Sequence, residues 1–377
     1  MIELAEIFRH HGSPYQAKFG HKMLPSHRRA MRAIERCRTP ALGGHVYECP
    51  DCGETQYRYH SCRNRHCPKC QNDKAQQWLE KQQELLLPVP YFLLTFTLPS
   101  ALRRVARSHQ RFIYHLLFRT AAAAVQLLAR DPRFVGGQAG MVGVLHTWGR
   151  NLAYHPHVHF LVPAGGLSDD GQAWLPARKD FLLPVKALSK VFRAKFRDAL
   201  RESDCFDDVP ASVWQQEWVV HCQPVGTGRS ALGYLAPYIF RVAISNNRIL
   251  KLADGQVTFR YRVSGAGQSK LCTLAVEEFI RRFLQHVLPK GFVKVRYYGF
   301  LAPGLRPRLA SLRQQLGCSL VQQPPSTEVA DCDAADRGCL QDALIAALSP
   351  NRIVRCPCCG QVMQRRPIIR AQGDKPP

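Results

Sequence analysis

An α+β fold, with an antiparallel sheet covered by helices and a small cysteine-rich module near the N-terminus, is predicted by three observations. Strand-like apolar runs at residues 91–98, 142–148 and 292–298 are interleaved with long amphipathic stretches at 100–130 and 185–201, an order in which helices lie over a sheet. Short turn signals such as Asp254-Gly255 join strand-like runs, as hairpins require. Two Cys-x-x-Cys pairs, Cys49/Cys52 and Cys67/Cys70, lie close together in a single short stretch.

The bulk properties bound what such a fold can do. A chain of 377 residues can form two or three domains, and a hydrophobic content of 46% is enough for a substantial core. Fifty-two Lys plus Arg against 28 Asp plus Glu give a net charge of +24. The excess runs along the whole sequence, which favours a polyanionic partner. No membrane span is expected, because Pro88 and Pro90 break the run at 85–98 and the run at 121–128 lies between Arg119 and Arg130. The first residues carry Glu3, Glu6 and His10 and do not read as a signal peptide. The fifteen cysteines are therefore expected as reduced thiols in the cytoplasm, serving as metal ligands or free thiols and not as disulfides.

Taken in order, residues 1–36 read as basic N-terminal helices, with Arg28, Arg29 and Arg32 on one face. The cysteine-rich module follows at 37–72. A helix at 71–87 ends at Pro88-Val89-Pro90, before the strand at 91–98. Ser100 can cap a long helix running to Arg130. The strand at 142–148 turns through 149–154 into a second strand, and a polar turn at Asp169-Asp170-Gly171 precedes a basic helix at 185–201. A strand at 218–222 and a glycine loop at 226–228 lead to a segment carrying Tyr234 and Tyr238. Residues 242–250 and 257–263 flank Asp254-Gly255 as a hairpin, 273–287 reads as a helix, and 292–298 as a strand. Residues 88–305 are expected to form the main folded domain. Residues 306–377, poor in periodicity, are expected to be a linker and tail.

Each Cys-x-x-Cys pair brings two thiolates onto one tight turn, and two such turns make a tetrahedral Zn²⁺ site. Cys49, Cys52, Cys67 and Cys70 are the predicted ligands. Cys37, His45, Cys62 and His66 are interleaved with them and offer a second zinc site in a crossed arrangement. Arg63, Arg65 and Lys69 place positive charge among these ligands, where a phosphate backbone could lie. The later pair Cys356/Cys359 closes no site alone; Cys332 and Cys339 are possible partners, and unliganded thiols are the alternative.

The segment Tyr154-His155-Pro156-His157-Val158-His159-Phe160 puts three histidines on alternate positions, hence on one face of a strand. A hairpin would bring His146 of the preceding strand beside His157 and His159, where facing side chains sit about 5 Å apart. Three imidazoles can hold one divalent ion with positions left for substrate, although histidines at this spacing also occur in packed cores. Tyr234 and Tyr238, at i and i+4, share a helix face. A phenolate is a competent oxygen nucleophile, and a metal that polarises a phosphodiester lowers the barrier to its attack. The aryl phosphodiester so formed can be reversed by a DNA 3′-hydroxyl without ATP. Pro237 lies between the two tyrosines, where it would kink a helix. Arg241 and Arg248 are candidate phosphate contacts.

At these residues the chain resembles the two-tyrosine rolling-circle transposases of the IS91 family, within the His-hydrophobic-His (HUH) endonuclease superfamily. The similarity covers most of residues 20–305. It includes Cys62-Arg63-Asn64-Arg65-His66-Cys67-Pro68-Lys69-Cys70, Thr95-Phe96-Thr97, His146-Thr147-Trp148-Gly149, the histidine segment, the stretch from Tyr234 to Ser245, and Glu278-Phe279-Ile280-Arg281-Arg282-Phe283. The resemblance implies an HUH-type antiparallel sheet, with an N-terminal zinc module contacting DNA. It implies nicking and strand transfer of single-stranded DNA, at the ends of an element and at its target, through 5′-phosphotyrosine intermediates. Tyr234 and Tyr238 match the nucleophiles. His157 and His159 match the motif that holds Mg²⁺ or Mn²⁺, His146 falls where related relaxases carry a third ligand, and His155 is expected beside the ion and not on it. Such a protein would act in the bacterial cytoplasm, on the nucleoid. The competing readings are a plasmid replication initiator or conjugative relaxase, and a non-catalytic zinc-dependent DNA-binding protein.

Overall fold

The structure is a computed structural model that describes residues 2–70, 82, 86–227, 230, 232, 242–262, 268–317 and 354–367. The expected helix at 71–87 falls almost wholly outside these residues, as do the tyrosine segment and the stretch at 318–350.

Helices α1 (Leu4–Phe19) and α2 (Pro25–Glu35) lead to a hairpin of β1 (Gly44–Glu48) and β2 (Thr55–Tyr59). After β3 (Pro90–Thr97), the expected single long helix is split at His109 into α3 (Arg103–Ser108) and α4 (Gln110–Ala129). Strands β4 (Met141–Trp148) and β5 (Tyr154–Pro163) follow, then the short pair β6 (Gly165–Leu167) and β7 (Trp174–Pro176). Helix α5 (Val185–Arg201) precedes β8 (Val220–Thr227). A meander of β9 (Ile249–Ala253), β10 (Gln256–Arg262) and β11 (Ser269–Ala275) runs into α6 (Val276–Leu284). Strand β12 (Val295–Tyr298), helix α7 (Pro307–Gln315) and strand β13 (Gln364–Pro367) complete the order.

The central sheet has the order β12-β4-β5-β3-β8, and all of its pairings are antiparallel. Because side chains alternate across a strand, Phe92, Leu94, Phe96, Val158 and Phe160 point to one face, where they pack with Ile113, Leu117 and Val125 of α4 and Phe192 of α5. Gly143 lies opposite Phe160; a Cβ there would come within 2.5 Å of the ring, so the glycine makes room for it. Helix α4 is long and apolar enough to cross a bilayer by length and composition, contrary to expectation, but its apolar stripe is buried in this core. The opposite face carries Leu93, Val142, Val144 and Leu161, covered by Phe300, Leu309 and Leu312. The histidines lie on this second face.

A third core joins the N-terminal helices to the meander: Phe8, Met31 and Ile34 pack with Phe259, Phe279, Ile280 and Phe283. Asp254 and Gly255 both have positive φ, 52° and 69°, as a tight two-residue hairpin turn requires. The predicted helix at 273–287 begins only at Val276, because residues 269–275 form the third strand of the meander. Thr273 belongs to that strand, its hydroxyl 2.9 Å from that of Thr258 on β10. A β-branched residue beside a ready partner strand is better accommodated there than in a helix.

Candidate active site and metal centres

The β4–β5 ladder sets His146 directly opposite His157 and Val144 opposite His159. On the other flank, β3 sets Thr95 opposite His159 and Thr97 opposite His157. The three imidazoles therefore converge, with ring centroids 5.4, 5.1 and 4.8 Å apart, and each offers a ligand nitrogen within 4.8 Å of the others. His146 and His159 are buried and His157 is half-buried.

The surroundings fix how these rings present themselves. His157 Nδ1 lies 2.6 Å from the His155 carbonyl, to which it donates, leaving Nε2 as the acceptor. His159 Nδ1 pairs with the Thr95 hydroxyl at 2.9 Å. Burial holds the pKa of His157 down to about 4 and that of His159 well below the ordinary imidazole range, so both stay neutral at physiological pH. Neutral imidazoles whose second nitrogen is already oriented are the form that ligates metal. The residues thus fit one divalent cation. His155 accepts from the Arg103 guanidinium at 3.0 Å and serves the cluster through its carbonyl. Trp148 stacks on His146 at 4.6 Å, and the Lys294 ammonium lies 5.2 Å from the Trp148 ring centroid. Burial and the neighbouring Arg65 pull the pKa of Lys294 down to about 7.

Sequence reasoning gave no role to Thr95, Arg103 or Lys294. Thr95 and Thr97 did leave a signal: two polar side chains at alternate positions of an otherwise apolar strand, on the face shared with the histidines. Lys294 left none. Tyr234, Tyr238 and Arg241 lie outside the described residues. On either side of them, Leu232 is buried with Val142, Val144 and Leu161 on the histidine face, and Ala243 is buried with Leu152. Val242 and Ala243 also line a cavity of about 20 Å³ with Thr147, His286 and Lys294.

The cysteines regroup relative to the prediction. Cys37, Cys62, Cys67 and Cys70 form one cluster, and Cys49, Cys52, Cys356 and Cys359 another. Hairpin geometry gives the reason. Five residues of strand at roughly 3.3 Å each hold the Cys49/Cys52 turn about 16 Å from the base of the β1–β2 hairpin, whereas Cys37 precedes β1 and Cys62 follows β2, both at the base. Cys67 and Cys70 fold back to that base. In the first cluster the Cys37 and Cys62 sulfurs lie 3.4 and 3.6 Å from Cys70, near the edge of roughly 3.8 Å of a tetrahedron with zinc–sulfur bonds of about 2.3 Å.

The histidines offered as ligands of a second zinc take other roles. His45 accepts from Arg365 at 2.6 Å and meets the ring of His60. His66 Nε2 accepts from the Leu288 amide at 3.3 Å, and burial pushes its pKa down to about 3. Several predicted phosphate contacts are engaged internally as well. Arg65 donates to the carbonyls of Phe292 and Pro289, Lys69 pairs with Glu3 at 2.5 Å, and Arg248 donates to the carbonyls of Arg260 and Arg150. Arg63, by contrast, is exposed.

With this geometry established, comparison with known proteins is informative. Residues 7–98 match the family "Transposase zinc-binding domain" and residues 140–308 the family "Putative transposase". The sequence is 42% identical to "Putative transposase y4qJ" of Sinorhizobium fredii, over 95% of this chain and 93% of that one. It is 30% identical to the "Transposase for insertion sequence element IS801" of Pseudomonas savastanoi pv. phaseolicola, over 71% of this chain and 68% of the relative. No solved structure matches. The histidine hairpin lies within the matched transposase region, 140–308, and the first cysteine cluster within the zinc-binding region, 7–98, and the chain belongs to the transposases of IS91-type insertion sequences.

Proposed function

We propose that this transposase nicks and rejoins single-stranded DNA through tyrosine, with His146, His157 and His159 holding Mg²⁺ or Mn²⁺. The observation that carries the reading is the histidine cluster itself: three imidazoles from two paired strands, each with a ligand nitrogen within 4.8 Å of the others, in a chain whose relatives are transposases. When bound, the ion would polarise the scissile phosphodiester. The phenolate of Tyr234 or Tyr238 attacks phosphorus, the bond to the 3′-oxygen breaks, and that oxygen leaves as a 3′-hydroxyl after taking a proton from solvent. The 5′-phosphate remains on tyrosine until a 3′-hydroxyl attacks it, restoring the phenol and sealing a strand. The second tyrosine lets one active site hold one end while cutting another strand. The burial of Leu232 and Ala243, on either side of the tyrosine segment, supports this assignment.

Single-stranded substrate is supported by the surface of β2. Tyr57, 60% exposed, stacks with Tyr59 at 6.2 Å and 19°, and Arg38 and Arg58 line the same depression. Exposed aromatic faces among arginines suit unpaired bases and their phosphates. The first cysteine cluster would hold the zinc of the zinc-binding domain.

The test incubates the protein with end-labelled single-stranded oligonucleotides from the element's ends and Mn²⁺, then separates covalent adducts under denaturing conditions. Wild type should form an adduct, and His157→Ala/His159→Ala should lose it by at least 100-fold. Tyr234→Phe/Tyr238→Phe should form none. An adduct that survives the double tyrosine substitution assigns the nucleophile elsewhere and ends the proposal.

A further inference from the structure

We propose that Cys49, Cys52, Cys356 and Cys359 bind a second zinc ion, separate from the first cluster, that clasps residues 354–367 onto the N-terminal zinc-binding region. The matched zinc-binding family covers residues 7–98 and so contains only half of this ligand set.

Two copies of one sequence motif meet here, Cys49-Pro50-Asp51-Cys52-Gly53 and Cys356-Pro357-Cys358-Cys359-Gly360. They adopt the same local structure. Gly53 N–H donates to the Cys49 carbonyl at 3.1 Å and Gly360 N–H to the Cys356 carbonyl at 2.9 Å. The first cysteine of each motif donates its amide to the residue after the glycine, Cys49 to Glu54 at 2.9 Å and Cys356 to Gln361 at 2.7 Å. Both glycines have positive φ, 71° and 77°, which explains a glycine at that position of each motif. The Cys358 amide also points at the Cys356 sulfur, 3.4 Å away, a donor that favours thiolate.

The sulfurs are spaced for metal and not for a disulfide. Cys49 to Cys359 and Cys52 to Cys356 are each 3.4 Å, and Cys52 to Cys359 is 3.7 Å, against about 2.05 Å for a sulfur–sulfur bond. Four thiolates at tetrahedral spacing select a borderline-soft divalent ion. Cys358, the third cysteine of the later motif, is exposed and outside the ligand set.

The packing explains why a metal is needed. Strand β13 pairs with β1 from Glu48↔Gln364 to His45↔Pro367, extending the β1–β2 hairpin to three strands. Among the described residues, the buried cluster beneath it holds only Cys49, Val354, Cys356 and Met363, with Tyr47 beside them. So small an apolar core is insufficient to order a short strand on its own. Once clasped, the strand brings Arg365 to His45 and Arg366 to Glu48.

The experiment is metal analysis of the full chain purified under reducing conditions. Wild type should carry two zinc ions per chain, and both Cys356→Ser/Cys359→Ser and Cys49→Ser/Cys52→Ser should carry one. Because a variant could lose metal by misfolding, wild type is also titrated with a thiol-specific mercurial, which should release zinc in two resolved steps. Hydrogen exchange provides a third readout: in Cys356→Ser/Cys359→Ser, residues 364–367 should lose protection while 61–70 keep theirs. One zinc in wild type, two in Cys356→Ser/Cys359→Ser, iron in place of the second zinc, or a disulfide between Cys356 and Cys359 would each overturn the assignment.

Discussion

The histidine hairpin and the first cysteine cluster are both candidate metal centres, but they are held together by different forces. His146, His157 and His159 project from adjacent strands whose backbone ladder fixes their separation before any ion arrives. Cys37, Cys62, Cys67 and Cys70 come from the end of a helix and from turns, and no ladder joins them. Four sulfurs brought within 4.8 Å repel one another once ionised. The histidine site is therefore preorganised by the sheet, whereas the cysteine site needs its ion as a structural member.

The largest expected effect follows from that difference. With a strong chelator present, protection against hydrogen exchange should collapse in α1, α2 and residues 61–70, whose core includes the buried Cys37, Cys67 and Cys70. Structural zinc in small modules contributes on the order of 10 kcal/mol; here the α6 contacts retain part of that region. The amides of β3, β4 and β5 should keep their protection. Equal loss in both regions would erase the distinction.

The same difference governs what the sequence could reveal. The convergence of His146, His157 and His159 was legible because the three lie within one hairpin, where an alternating pattern and a turn determine who faces whom. The basic helix at 185–201 and the Asp254-Gly255 turn were legible for the same local reason. The cysteine pairings were not. Cys67 and Cys70 looked like partners of Cys49 and Cys52 because they share a spacing, but the length of β1 and β2 separates them. The partners of Cys49 and Cys52 lie more than three hundred residues away, at Cys356 and Cys359, a distance at which spacing carries no information. Their shared Cys-Pro-x-Cys-Gly pattern was the available signal. Strand β11 was missed because a helix reading of 273–287 fits its periodicity until the partner strand β10 is known.

A smaller effect sharpens the claim that the sheet preorganises the histidines. Thr95 is not a ligand, yet its hydroxyl meets His159 Nδ1 at 2.9 Å. Thr95→Val keeps the shape and removes that partner. Outer groups of this kind are worth 10- to 100-fold in metal affinity, so Mn²⁺ binding measured by calorimetry should weaken by about that factor, and adduct formation should recover at high Mn²⁺. Unchanged affinity would mean that the ladder alone orients the ring.

The smallest effect concerns the residue that ties the two regions together. His286, just beyond α6, is 2% exposed; its Nε2 lies 3.2 Å from the Leu152 carbonyl in the β4–β5 turn, and its Nδ1 lies 3.2 Å from the Thr147 hydroxyl. Burial lowers its pKa to about 4 from an ordinary 6.5. Above pH 6.5 the ring is neutral in folded and unfolded chains alike, and its contribution is complete. As pH falls from 6.5 towards 4, only the unfolded chain takes up the proton, so stability is lost, by roughly 2 kcal/mol at pH 5. His286→Asn should be less stable than wild type at pH 7.5, because hydrogen bonds and packing change. It should also lose less stability than wild type between pH 7.5 and pH 5, narrowing the gap in urea denaturation. Acid release of zinc acts on both proteins and cancels in the difference. If the variant shows the same pH dependence as wild type, the acid sensitivity arises elsewhere, and the link between the histidine hairpin and α6 is one of packing alone.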